Sequence, residues 1–534
     1  MRPNILIINP DQMRSDALHH LGNEAAYTPN IDALINDGVS YENAFCQNPV
    51  CVPSRCSFMT GQYSHTNGHR TMGYLLRRGE KNLFEEMKNG GYYVWSSGRG
   101  DLLAGQDKKW LKICADKIYN KCGGDRPKDE GRGDKNSARY FSFYKGEMFS
   151  KNSDGIVHDN DFVWTKGLED FIKNNKGDKP FFAFLGLMNP HPPYRCEKKY
   201  LDLIDESKIK MPISPSGKDD KKPSMEVALR EELHTDGLTE EEYKKIRKTY
   251  LAMCAKVDDY TGRIIKALKD SGQYDNTAIF FFSDHGDFTG DFGLVEKAQN
   301  LFPDCLVNVP FIVKPPKGYK TDCGINSNLV ELVDFYATAV EFAHITPEHT
   351  HFGKSLINSI ADKSEAHRKY AFCEGGRLKG ESHCTEQVEN YFGVKADEYE
   401  PRISVQQRET GEHTKAVMIR SRDYKYIMRL YEQDEFYVLK KGENINEIDN
   451  PEYAQTISQM RDEILNWYFE TCDAVPFEQD SRFPDEFFLE EANAFAHFKV
   501  SPIIKTAMKL TRSDFSTLVS KAIKLAKIDT NKFH

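Results

Sequence analysis

The run Cys51-Val52-Pro53-Ser54-Arg55-Cys56-Ser57-Phe58-Met59-Thr60-Gly61 gathers residue types that suit a reaction on an anion. Pro53 and Ser54 suit the first turn of a helix, where a missing N–H costs nothing and a hydroxyl can cap. Cys51 is then expected at the N-terminal mouth of that helix. Orphan N–H groups and the positive end of the helix dipole favour a bound anion there. Arg55, one turn on, can fork onto an anionic oxygen. A small buried structural cysteine is the plain alternative for Cys51. Cys46, Cys51 and Cys56 recur every five residues, which fits neither one helical face nor the usual spacing of zinc ligands.

Two other pairs can do chemistry. Asp11-Gln12 follows the apolar run Ile5–Ile8, and Asp284-His285 follows Ala278–Phe282. In an α/β sheet, ligands gather beyond the carboxyl ends of the strands. Two such ends can jointly hold one divalent cation. Carboxylate and amide oxygens suit Ca²⁺, Mg²⁺ or Mn²⁺, and an imidazole shifts the balance towards Mn²⁺. A turn residue before a helix and a hydrogen-bonded turn pair are the alternatives.

The elements that must position these residues alternate. Ile5–Ile8, Tyr92–Trp95, Phe181–Leu187 and Ala278–Phe282 read as strands, most of them apolar without alternation. Ile31–Asp37, Leu83–Asn89, Asp170–Asn174 and Tyr250–Ser271 read as helical. That order predicts an α/β sheet covered on both faces. Gly123–Lys135 and Ser214–Ser224 read as polar surface loops. Beyond Ala361 the pattern changes to short strands at Tyr370–Glu374, Thr414–Arg420, Tyr424–Leu430 and Glu435–Leu439, then a helix at Pro451–Phe469. The expected division is an α/β domain over 1–361, an antiparallel-sheet subdomain over 362–474 and a helical C-terminal extension over 475–534. Helices are expected in the extension at Asp485–Phe498 and Ser513–Lys527.

The chain has 534 residues and a net charge of −9, which argues against a nucleic-acid partner or an anionic membrane surface. No apolar run reaches the roughly 18 residues of a membrane span. The twelve cysteines are scattered, so reduced thiols are expected. The N-terminus reads directly as a buried strand, and a cytoplasmic location is expected. No dinucleotide-binding or Walker glycine pattern is present.

The same segments, in the same order, resemble the Cys-type sulfatases: the strand ending in Asp11-Gln12, the Cys51-x-Pro53-Ser54-Arg55 helix and the strand ending in Ser283-Asp284-His285-Gly286. Val257–Ile265, Tyr274–Thr277, Asn189–Tyr194, Gly293–Lys297, Gly353–Leu356, Tyr424–Tyr426 and Glu435–Leu439 extend the likeness over roughly residues 1 to 470. The resemblance implies an alkaline-phosphatase-like fold, a large mixed sheet sandwiched by helices with a smaller C-terminal α+β domain. It implies hydrolysis of a sulfate ester by the hydrate of formylglycine, an aldehyde made from Cys51 by a maturase. It also implies one divalent metal, Ca²⁺ first with Mn²⁺ or Mg²⁺ as alternatives, on Asp11, Gln12, Cys51, Asp284 and His285. Asp284 would take a proton, His191 would protonate the departing oxygen, and Arg55 and Lys297 would balance charge. Where the family has Gly-Lys-x-His, this chain has Gly98-Arg99-Gly100-Asp101. Arg99 is expected on the sulfuryl group and Asp101 on the substrate beyond it, with a helix cap before Leu102-Leu103 as the equal alternative for Asp101. The substrate class is a small-molecule or oligosaccharide sulfate ester, and the extension is a candidate contact for a homo-oligomer. The Asp/Gln and Asp/His metal set is shared with phosphonate monoester hydrolases, so a phosphonate monoester or phosphodiester remains the alternative. A non-catalytic binder of sulfated ligands is the third reading.

Overall fold

The computed structural model describes residues 2–477, except 126, 135–136, 176, 216–220 and 387–396. Its strands, in chain order, are β1 (Asn4–Asp11), β2 (Val39–Phe45), β3 (Tyr93–Gly98), β4 (Lys117–Tyr119), β5 (Tyr144–Met148), β6 (Phe181–Pro190), β7 (Tyr194–Glu197), β8 (Thr277–Phe282), β9 (Phe311–Lys314), β10 (Gly324–Glu331), β11 (Ala371–Gly375), β12 (Ala416–Arg420), β13 (Tyr424–Arg429) and β14 (Glu435–Val438). Eight of them form one mixed sheet in the order β10-β2-β9-β8-β1-β6-β3-β4. β9 runs antiparallel to both β2 and β8, and the other pairings are parallel.

The centre of this sheet is buried on both faces. All residues of β1 and β8 are buried, which explains why their sequences lack alternation. Ile5 sits opposite Phe182 on one side and Ala278 on the other, so β1 is flanked by two strongly apolar strands.

The small sheet β11-β12-β13-β14 is antiparallel and has two different faces. Cys373, Ala416, Met418, Ile427 and Tyr437 join the main core. Phe372, Val417, Ile419, Tyr426, Phe436 and Val438, their alternates, pack with Ile457, Met460, Ile464 and Trp467 of the helix Ala454–Thr471. The period of two along each strand therefore sends one set of side chains to each layer. Met1–Val475 forms one compact unit containing both sheets. Of the second unit, Pro476–His534, only Pro476 and Phe477 are described, so the helices expected at Asp485–Phe498 and Ser513–Lys527 lie outside the described residues.

Two helices are longer than their apolar periodicity suggests. The helix expected at Tyr250–Ser271 spans Glu240–Asp270, because Thr239 and Glu242 form a capping box before its charged first turns. The one expected at Asp170–Asn174 spans Asn160–Asn174 and is capped by Asp159. Ile31–Asp37 resolves into a short α turn, Pro29–Asp32, and a 3₁₀ turn, Ala33–Asn36. No helix among the described residues is long and apolar enough to cross a membrane. All twelve cysteines are free.

Candidate functional site

Four neighbouring parallel strands, β8, β1, β6 and β3, end side by side. Beyond their carboxyl ends lie Asp284-His285, Asp11-Gln12, His191 and Arg99. The sheet order thus brings together residues from widely separated parts of the chain. The close approach of β3 to β6 requires glycine. A Cβ on Gly98 (φ +90°) would lie 1.8 Å from the Gly186 carbonyl oxygen.

The ends of β1 and β8 are laced together. Asn9 Nδ2 donates to Phe282 O (2.7 Å), and Met13 N donates to Ser283 Oγ (2.7 Å). Gln12 has φ 71°, a left-handed conformation that its neighbours hold in place. Its N–H donates to Asp284 Oδ1 (3.0 Å), and its carbonyl accepts from Tyr250 Oη (2.8 Å).

Opposite these ends, the helix Cys51–Thr60 is buried along its whole length. Cys51 is its first residue, as expected. Ser54 is not its cap: the N-cap is Val50, and Ser54 Oγ donates to Asp284 O (2.6 Å), tying the helix to the β8 end. Cys51 Sγ lies 3.5 Å from Asp11 Oδ1, 3.2 Å from His285 Nε2 and 3.8 Å from Arg99 Nη2. Asp11, Cys51, Asp284 and His285 are all buried, and each offers a ligand atom within 4.8 Å of the others. Gln12 Oε1 accepts from Lys297 Nζ (2.6 Å), while Gln12 Nε2 donates to Asp287 Oδ2 (2.6 Å), which fixes the amide's orientation.

This donor set fits a hard divalent cation. Two buried carboxylates, Asp11 and Asp284, share the cluster, and His285 Nδ1 bonds Gly286 O (2.9 Å), leaving Nε2 towards it, whereas Gln12 Oε1 is engaged by Lys297. Burial pushes the Asp11 carboxyl above its usual range, with Asp284 beside it adding to the rise. Burial works the same way on Asp284, but Arg55 and His285 outweigh it and hold that carboxyl low. The Cys51 thiol is raised by burial and by Asp11.

Arg55 does not point at a free anion. Its Nε meets Asp284 Oδ2 (2.8 Å) and its Nη2 meets Asp11 Oδ2 (3.2 Å), so it braces both carboxylates. Arg99 Nε bridges Asp11 Oδ2 (2.8 Å) and Asp101 Oδ2 (2.7 Å). Asp101 therefore pairs with this arginine. His191 Nδ1 bonds Pro192 O (2.6 Å), and its Nε2 lies 3.1 Å from Lys297 Nζ. Burial, Lys297 and Arg99 all depress the His191 pKa, so in this geometry the ring is neutral and accepts from Lys297. Burial opposes the charge on Lys297, but Cys51 and Glu296 outweigh it. Glu296 Oε1 sits 2.6 Å from Lys297 Nζ and is itself held by Arg402.

All ten residues singled out from the sequence meet here. Glu296, Asp287 and Arg402 also belong to the arrangement, and nothing in their spacing signals it. Arg402 comes from a helix, Glu400–Gln407, far along the chain.

Residues 3–345 match the family model described as Sulfatase. An arylsulfatase of Clostridium perfringens is 26% identical over 430 residues, covering 75% of this chain and 85% of the relative. The fold is similar to that of a phosphonate monoester hydrolase of Agrobacterium radiobacter, with a TM-score of 0.68, 21% identity, and 88% and 96% of the two chains covered. It is also similar to a protein solved in complex with its substrate D-glucosamine-2-N,6-O-disulfate, with a TM-score of 0.64, 19% identity, and 90% and 100% covered. The chain belongs to the sulfatase family and is a sulfuric ester hydrolase with the fold of the alkaline phosphatase superfamily.

Proposed function

We propose that the reactive group is formylglycine, made by a maturase from Cys51, and that the substrate is a sulfate ester carried on a small molecule or a saccharide. The observation that carries this reading is the setting of Cys51. It is fully buried at the mouth of a buried helix, with Asp11, His285 and Arg99 all in contact with its sulfur. A divalent metal would be held by Asp11, Gln12, Asp284, His285 and the group at position 51, with Ca²⁺ favoured by the excess of oxygen ligands. When bound, it would supply Lewis-acid polarisation of the sulfuryl oxygens.

The chain's own residues then have separate tasks. Arg55 holds both metal carboxylates in register. Arg99 and Lys297 face the sulfuryl group and offset its growing charge. Asp284 receives the proton of the attacking hydroxyl. Lys297 Nζ, 3.1 Å away, supplies the proton: it passes to His191 Nε2 and from there to the departing oxygen, leaving Lys297 neutral. Asp101, with its side chain 27% exposed, meets the part of the substrate beyond the sulfate.

A phosphonate monoester or phosphodiester, which carries the same single negative charge as a sulfate ester, is the second reading, supported by the likeness to the Agrobacterium enzyme. A saccharide substrate is supported by the sulfated sugar, D-glucosamine-2-N,6-O-disulfate, bound by the other structural relative.

Peptide mass spectrometry of residue 51, combined with hydrolysis of 4-nitrophenyl sulfate before and after chelation, tests the reading. The aldehyde fraction should scale with specific activity, and chelation should remove that activity. Full activity from a preparation whose Cys51 is entirely a free thiol would overturn it. A faster turnover of a phosphonate monoester measured in parallel would select the second reading.

A further inference from the structure

His191 reaches the site because the strand that carries it leaves register just before it. Along β6, Leu187 pairs with Pro10 of β1, and the next pairing is Pro190 with Asp11. Met188 and Asn189 are therefore the extra residues of a bulge, a device that re-aims the chain beside an active site. Their N–H groups have lost their places in the ladder and need other acceptors.

One side chain supplies them. Asp161 lies in the first turn of the helix Asn160–Asn174 and is 1% exposed. Its Oδ1 accepts from Met188 N (2.7 Å), and its Oδ2 accepts from Asn189 N (2.8 Å) and Asn189 Nδ2 (2.6 Å). The turn that follows is closed by His191 N donating to Met188 O (2.8 Å). The ring is then held by Pro192 O and meets Lys297.

Asp161 touches neither the metal cluster nor Cys51, and the described residues give it no cationic partner. A buried carboxylate without a counter-ion is costly, and a backbone-satisfying role alone needs no charge. Three charge-assisted bonds aimed at two consecutive residues do more, since they lock a short segment against rotation.

We infer that Asp161 is a positioning residue for the proton donor: its carboxylate fixes the Met188–Asn189 bulge and so aims the His191 imidazole at the departing oxygen. The inference rests on the proposed role of His191. It predicts a loss confined to reactions that need a proton, since a misplacement of about 1 Å can cost roughly 10²-fold.

The test compares wild type, Asp161→Asn, Asn189→Ala, His191→Ala and the double variant Asp161→Asn/His191→Ala. Each is assayed with 4-nitrophenyl sulfate, whose leaving group needs no proton, and with an alkyl sulfate, whose leaving group does. Asp161→Asn should lower kcat for the alkyl sulfate by about 10–100-fold and for the aryl sulfate by less than about threefold, with KM little changed. Asn189→Ala, which removes only one of the three bonds, should show the same selectivity at smaller size, and it reports even where Asp161→Asn fails to fold. The double variant should be no slower than His191→Ala. If His191→Ala is selective while Asp161→Asn or Asn189→Ala slows both substrates alike or neither, the positioning role is wrong. If His191→Ala itself slows both substrates alike, the role of His191 falls, and the inference falls with it.

Discussion

Replacing Arg99 probes the point where this chain departs most from the family pattern. Its Nη2 lies 3.8 Å from Cys51 Sγ, so one terminal nitrogen is aimed at the position of the reactive atom. Its Nε holds Asp11 and Asp101 at 2.8 and 2.7 Å. Removing one preorganised donor from a site where negative charge develops typically costs about 10²–10³ in kcat, or about 2.7–4 kcal/mol. Arg99→Ala should lose that much with every substrate, because the sulfuryl group is common to all. Folding should suffer less, by about 1–2 kcal/mol, since Arg55 Nη2 remains 3.2 Å from Asp11 Oδ2. Arg99→Lys restores the charge but cannot hold two carboxylates and reach the sulfuryl group with a single-headed ammonium. It should recover about tenfold of the loss, as an order of magnitude. The assay is kcat and KM for 4-nitrophenyl sulfate and a sugar sulfate, with metal content and melting temperature measured on the same samples. A kcat within about threefold of wild type in fully metallated Arg99→Ala, or a loss confined to KM, would refute the reasoning.

Asp284→Ala should lose both bound metal, measured by elemental analysis after dialysis, and turnover; full metal content at a normal rate would remove it from the ligand set. Asp101→Asn should shift the preference between an aryl and a sugar sulfate by more than it changes the rate with the aryl sulfate alone; equal loss with both would place Asp101 in the catalytic machinery. In the free enzyme His191 is depressed and neutral while Lys297 keeps its proton, so the pair carries one proton across the neutral range. The ratio of kcat/KM for an alkyl sulfate to that for an aryl sulfate should therefore stay flat between about pH 6 and 9. An isolated His191 acid would instead make that ratio climb about tenfold for each unit of falling pH.

Much of the frame was visible in residue patterns, because its central strands are buried on both faces and carry unbroken apolar runs. Phe181–Leu187 and Ala278–Phe282 needed no context to be recognised. β2, β4, β5, β7, β9 and β10 were not anticipated. Val39–Phe45 mixes exposed polar residues into its run, Phe311–Lys314 is only four residues long, and Gly324–Glu331 is rich in asparagine. The Thr239–Glu242 capping box was a readable signal for the start of the long helix. The apolar periodicity, however, is confined to the second half of that helix, so the pattern alone starts it at Tyr250. The pairs at the strand ends could be recognised because two chemically apt residues stand next to each other. The bracing role of Arg55 could not, since it depends on two carboxylates that lie 44 and 229 positions away. Asp161 gave no sign for a similar reason. Its partners are defined by a slip in strand register, which no residue type announces.

On the proposed formylglycine chemistry, the complete burial of Cys51 would also set a timetable for making the enzyme. An aldehyde would be installed there only by a catalyst that grips the thiol, and the folded protein offers it no surface. The residues that close over it arrive late, with His285 234 positions further along the chain. At a synthesis rate of roughly 5–20 residues per second, that gap leaves about 10–50 s in which position 51 has emerged and its lid has not. Conversion is thereby tied to translation rather than to the finished protein. Slower elongation between these two segments should raise the fraction of active molecules. A pool of folded, unconverted enzyme should stay inactive however much maturase is added afterwards.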